Sequence, residues 1–119
     1  MIIVWGKVRQ GQKRGKLLGF PTANFKLYKK IEQGVYISKT KVDGEIHKSI
    51  TFIGNAKTFA EKDIKAETYI LDFDKNIYDK YISVTLLKKI RGNKKFKSEK
   101  QLIQQMRNDL RITRQYFKT

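Results

Sequence analysis

From residue 34 to residue 90, apolar positions come in short runs rich in β-branched and aromatic residues, and each run ends at a turn signal. Gly34 to Val42 is the first, and it stops at Asp43-Gly44, a strong two-residue hairpin signal. Its partner runs from Glu45 to Ile53 and stops at Gly54-Asn55. Ala66 to Phe73 runs into the polar stretch Asp72 to Asn76, and Tyr81 to Ile90 follows. With Ile2 to Arg9 added, the pattern predicts five or six strands at short spacing. Such spacing favours an antiparallel barrel or sandwich over alternating βαβ units.

The period changes near the C-terminus. Ser98-Glu99-Lys100-Gln101 has the form of a capping box, and Leu102, Ile103, Met106, Leu110 and Phe117 follow at helical spacing. One amphipathic helix laid against the β structure is expected. At 119 residues, with no repeat, low-complexity tract or linker, the chain reads as one domain over residues 1–119, closing one core.

Charge changes this picture more than size does. A formal net charge of +16 and a pI near 10.1 call for a polyanionic partner: nucleic acid, anionic membrane or a phosphorylated small molecule. Residues 1–31 carry eight bases and no acid, and residues 88–119 carry eleven bases against two acids. Both ends keep apolar residues, so both are expected to fold rather than form a basic tail. Cysteine is absent, which removes disulfides, thiolate metal sites and cysteine nucleophiles, and fits a reducing compartment, with the cytoplasm as the default. The apolar opening Met1 to Trp5 stops at Gly6, far short of a signal peptide or a membrane span, so no membrane partner is expected.

Chemistry is suggested first by Gly11, Gly15 and Gly19, spaced every four residues with Lys13, Arg14 and Lys16 between them, and leading into Phe20-Pro21-Thr22-Ala23-Asn24. Glycines let backbone N–H groups approach phosphate, cations neutralise it, and a hydroxyl beside a fixed proline can face a metal ion. A basic turn between strands fits the same residues. Neither the Walker pattern nor a dinucleotide fingerprint is present, so a different nucleotide-binding architecture is needed. A second candidate is Glu67, which by strand alternation shares a face with Tyr69, Leu71 and Phe73. Turned inward, that face would desolvate the carboxyl and raise its basicity; turned outward, Glu67 is a solvated strand-end glutamate.

The run from Gly11 through Arg14-Gly15-Lys16, Leu18-Gly19-Phe20-Pro21-Thr22-Ala23-Asn24 resembles the signature of the ATP-dependent riboflavin kinases. Gly34-Val35-Tyr36, the turn from Ile53-Gly54-Asn55 to Phe59, the Glu67 strand ending in Asp72-Phe73, and Ile90-Arg91 with Lys95-Phe96 and the Leu102-to-Asp109 helix are similar to further family motifs in the same order. Two positions depart. Lys57 stands where proline is usual, and Asn93 stands where an acid is common, which predicts a looser loop on the flavin side.

The resemblance implies a mainly β fold, a six-stranded antiparallel Greek-key β-barrel with a C-terminal α-helix. It further implies transfer of the γ-phosphate of ATP to the 5′-hydroxyl of riboflavin, giving FMN and ADP. Glu67 becomes the expected general base. Thr22 and Asn24 become the Mg2+ site, for which Zn2+ or Mn2+ are possible substitutes. Gly11, Arg14, Gly15, Lys16, Leu18, Gly19, Pro21, Thr22 and Asn24 are expected at the nucleotide. Phe20, Arg91 and Phe96 are expected at the flavin, although Phe96 fits equally as a residue that docks the helix. The lone His47 receives no role, and Trp5 is left as core or surface. No His-x-Gly-His run occurs, so a kinase domain without the adenylyltransferase module, acting as a monomer, is expected. From another class, a small basic β-barrel that binds nucleic acid fits the charge and the aromatics but lacks a matching motif. Within the kinase reading only weak, nonspecific polyanion binding is expected.

Overall fold

The computed structural model describes residues 2–9, 22–55 and 64–118. It contains six strands, β1 (Ile2–Lys7), β2 (Thr22–Lys26), β3 (Gly34–Val42), β4 (Glu45–Asn55), β5 (Ile64–Ile70) and β6 (Tyr81–Arg91), followed by one helix, α1 (Glu99–Lys118). All pairs are antiparallel and the sheet order is β1-β6-β3-β4-β5-β2. Strands β3, β4 and β5 follow one another, and β6 returns to lie beside β3, the Greek-key order. The sheet curls until its two edges meet: the Arg9 amide donates to the Asn24 carbonyl at 2.6 Å. The expected barrel with a C-terminal helix is what the chain forms.

The hairpin signal works as its chemistry requires. Asp43 and Gly44 take φ of 50° and 82°, two left-handed residues that match the twist of the strands they join, and Val42 pairs with Glu45 directly behind them. At the helix start Ser98 Oγ accepts from the Gln101 amide at 3.2 Å, while Gln101 Oε1 accepts from the Lys97 amide, one residue earlier than a capping box requires. Sequence spacing missed β2. Thr22 to Lys26 follows a proline and a glycine-rich run, so its alternation is short and reads as loop.

The barrel interior takes one face of every strand. Val4, Val8, Ala23, Phe25, Ile53, Ala66, Ile70, Ile82, Val84 and Leu86 form its apolar part. Gly6 is needed there, because a Cβ would meet Phe25 Cδ2 at 2.7 Å. The interior also holds a chain of hydroxyls, all fully buried. Thr40 bonds to Ser49 at 2.8 Å, Ser49 to Ser38 at 2.7 Å, Ser38 to Thr51 at 2.8 Å and Thr51 to Thr68 at 3.0 Å. Each such bond is worth only about 1 kcal/mol net, whereas a buried hydroxyl left without its partner costs about 1–3 kcal/mol. The chain therefore fixes register more than it adds stability. A one-residue slip of β5 against β4 would push Thr68 out of the chain and turn Glu67 into the barrel.

The opposite face is covered over part of its area by α1, whose buried residues are Met106, Asp109 and Thr113. Val35, Ile37, Ile50 and Tyr69 are buried on that outer face. Strand β6 reaches it through two register shifts, between Val35 and Tyr36 and between Ile37 and Ser38 on its partner β3, and its last residue, Arg91, pairs with Val35.

Candidate active site between β2, β5 and the helix

Pairing of β2 with β5 sets Asn24 directly opposite Glu67 and Thr22 directly opposite Tyr69. Pairing of β5 with β4 sets Phe52 on the other side of Glu67. Cross-strand partners share a face, so Thr22, Asn24, Glu67, Tyr69 and Phe52 project from one surface. It is the outer surface of the barrel. The inward alternative for Glu67 is thus not realised, because Ala66, Thr68 and Ile70 take the interior. Even so, Glu67 is only 9% exposed, which also sets aside the solvated strand-end reading. An outward face that is nonetheless buried is the kind of place where a carboxylate can be kept from bulk water and still meet a ligand.

Thr22 is buried and Asn24 half-buried, and the Asn24 amide nitrogen lies 3.5 Å from Thr22 Oγ1. A hydroxyl, an amide carbonyl and a carboxylate are hard oxygen donors. With no group of three or more His, Cys, Asp or Glu arranged for a metal among the described residues, they suit an ion that takes one or two protein oxygens and completes its shell with phosphate and water. The segment before residues 10–21 meets the segment after them at the Arg9–Asn24 bridge, two residues beyond Thr22. Gly11, Arg14, Gly15, Lys16, Leu18, Gly19, Phe20 and Pro21 themselves lie outside the described residues, as does Lys57.

Arg91 lies on the same side of the barrel but is not a free cation. Its Nε and Nη2 donate to Asp109 Oδ1 and Oδ2 at 2.9 and 2.7 Å, a two-pronged pair between the end of β6 and the middle of α1. Gln105 Nε2 adds a third bond to the same carboxylate at 3.0 Å. The guanidinium stands 5.8 Å from the Phe52 ring centroid, and Phe52 in turn lies 4.9 Å from the Tyr69 ring. A continuous stack therefore runs from α1 through Arg91 and Phe52 to Tyr69, with Phe52 the cross-strand neighbour of Glu67. Phe96 is half-buried on the connection from β6 to α1.

Asp109, Gln105 and Phe52 were not singled out from sequence. The signal was present for Asp109: it falls three residues after Met106 and four before Thr113, on the buried stripe of α1, where an acid needs a partner. Nothing in the sequence names that partner as Arg91. The looser loop expected from Asn93 is not found. Its side-chain amide donates to the Ile53 carbonyl at 3.1 Å and to Gln33 Oε1 at 3.3 Å, tying the start of the β6–α1 connection to the end of β4. An acid has no N–H to give at that place. His47 packs edge-on against Phe73 at 4.9 Å and sits near Glu45, away from the site.

The chain is similar to known proteins over nearly its whole length. The family model for riboflavin kinase matches residues 1–117. A bifunctional riboflavin kinase/FMN adenylyltransferase of Bacillus subtilis is 36% identical over 94% of this chain and 37% of its own length. The chain spans less than two fifths of the curated relatives it matches first. Among solved structures, a Streptococcus pneumoniae protein described as a macrolide-efflux protein superposes with a TM-score of 0.81 at 31% identity, over 94% of this chain and 38% of that one. Riboflavin kinase from Trypanosoma brucei superposes at 0.68 over 98% of this chain and 80% of its own, with 24% identity, a likeness of fold. The match across nearly the whole length, on a barrel that brings Thr22, Asn24 and Glu67 to one face, means that the chain belongs to the riboflavin kinase family.

Proposed function

We propose that the chain phosphorylates riboflavin, moving the γ-phosphoryl group of ATP to the ribityl 5′-hydroxyl to give FMN and ADP. The observation that carries this reading is the placement of Glu67, buried and flanked by Asn24 and Phe52 on a face shared with Thr22. A primary hydroxyl is a weak nucleophile. Glu67 accepts its proton as the oxygen attacks phosphorus, and ADP leaves in line. Thr22 Oγ1 and the Asn24 amide oxygen are the groups that would hold Mg2+, or Zn2+ or Mn2+ in its place, and such an ion would offset negative charge on the nucleotide phosphates. The backbone and cations of residues 11–19, with Pro21, supply the nucleotide cradle, and Phe20 and Phe96 the flavin side. Arg91 contributes there through the stack it forms with Phe52 rather than as a separate charge. These substrates suit a monomer working in the cytoplasm. Among the described residues no helix is long and apolar enough to cross a membrane.

The test is direct. The protein is incubated with riboflavin, ATP and Mg2+, and FMN is followed by chromatography. Glu67→Gln should lower kcat by about 10²- to 10⁴-fold while riboflavin still binds. An unchanged rate in that variant would sink the role given to Glu67.

A further inference from the structure

The part of the outer face that α1 leaves uncovered has its own chemistry. Register puts Trp5, Ser83, Lys41 and Ile46 in one row across β1, β6, β3 and β4, with Ile3, Thr85, Lys39 and Lys48 in the next, and Lys7 beside Tyr81. Trp5 is 66% exposed, Tyr81 73% and Ile46 65%, and Lys39 and Lys41 are also exposed, while Lys48 marks the border with α1, its Nζ 5.7 Å from the Phe117 ring centroid. Among the described residues, no Asp or Glu lies in these rows. Large aromatic rings left in water cost hydration without a packing return, and their place between lysines suggests a planar anionic partner. None of these residues belongs to the site on β2 and β5.

We infer that this face binds single-stranded nucleic acid without sequence preference, with bases stacking on Trp5 and Tyr81 and the backbone phosphates tracking Lys7, Lys39, Lys41 and Lys48. Trp5 and Tyr81 are diagonal neighbours across the β1–β6 ladder, about 7–8 Å apart, which allows each ring to take a separate base. Lys41 is two strands from Trp5, about 10 Å, so a long side chain there can meet the phosphate of a base held on the indole. Charge complementarity selects this occupant. A face with lysine in each row repels a second copy of a chain carrying +16, and it offers a duplex charge contacts but no exposed bases to stack.

Trp5 is the chain's one tryptophan, so its emission reports on this face alone. Titration of the full chain with single-stranded oligothymidylate or oligouridylate of about twelve nucleotides at low salt should quench Trp5 saturably. Inorganic polyphosphate should bind without quenching. Measured by anisotropy of a labelled oligonucleotide, Trp5→Ala and Tyr81→Ala should each weaken binding about tenfold. Lys39→Gln/Lys41→Gln should reduce the slope of log affinity against log salt by about 1.4. Riboflavin phosphorylation should be unchanged in Trp5→Ala, which separates this inference from the kinase reading. Equal quenching by polyphosphate, wild-type oligonucleotide affinity in both aromatic variants, or Trp5 emission that shifts with protein concentration alone, the mark of self-association, would each overturn the proposal.

Discussion

Asp109→Ala removes the acceptor that holds β6 to α1, and its effect can be sized from the geometry. Asp109 is 1% exposed, and its two oxygens take Arg91 Nε and Nη2 at 2.9 and 2.7 Å together with Gln105 Nε2. After truncation Arg91 keeps the Gly92 carbonyl at 3.1 Å and the face of Phe52, but its charge has no counter-ion in a side chain only 18% exposed. Breaking such a buried pair costs about 3–5 kcal/mol, and the lower end applies because the guanidinium can reach some water. Unfolding entropy near 2.1 cal/mol/K per residue gives about 0.25 kcal/mol/K for a chain of 119 residues. A loss of about 3 kcal/mol should therefore lower Tm by roughly 12 °C, read by circular dichroism without ligands. Arg91→Met/Asp109→Leu, which removes both charges at similar volume, should recover most of that loss. A fall of less than about 4 °C in Asp109→Ala, or a double variant as unstable as the single, refutes the argument that desolvated charge dominates this contact.

Other predictions rest on separate observations. Thr22→Ala should raise KM for magnesium-ATP about tenfold or more and leave riboflavin affinity intact, as steady-state kinetics and flavin fluorescence quenching would report; rescue by excess riboflavin alone would count against the assignment. Thr51→Val removes the member of the hydroxyl chain that bridges Ser38 and Thr68, and should cost about 1–3 kcal/mol in urea unfolding with an unchanged m-value. Burial, partly offset by Lys89 and reinforced by Glu32, holds the Tyr36 phenol above its ordinary pKa of 10.0. The folded protein then keeps that proton longer than the unfolded chain does, so the associated stability is full below pH 10 and is lost as pH rises toward the folded value. Tyr36→Phe should remove that part of the alkaline decline in Tm, and an identical decline in both proteins would show that other groups cause it.

How far the sequence could be read depended on whether a feature was local. Asp43-Gly44 and Ser98 to Gln101 act within a few residues: the first forms the turn its chemistry predicts, and the second caps the helix through Ser98, with the return bond from Gln101 falling on Lys97 instead of Ser98. Strand β2 was hidden because Thr22 to Lys26 gains its strand character from β5 on one side and the Arg9 bridge to its central Asn24 on the other, neither of which its own five residues encode. Glu67 shows the deeper reason. Alternation along β5 correctly grouped Glu67 with Tyr69, but it did not tell which group enters the barrel. The usual rule sends the more apolar face inward, and here it would have favoured the one with Tyr69 and Leu71. A six-stranded barrel has a narrow interior, and the face with Ala66, Thr68 and Ile70 fits it. The hydroxyl chain then makes Thr68 an acceptable interior residue, while α1 and the Arg91–Asp109 pair close over the bulkier outer face. Both choices are long-range, and together they explain why Glu67 can be buried without being part of the core. The β4–β5 register that carries Glu67 is fixed from inside the barrel, and its surroundings are fixed from outside by the helix. A change at Thr51 should therefore disturb Glu67 through register, and a change at Asp109 through Phe52, although neither residue is a cross-strand neighbour of Glu67.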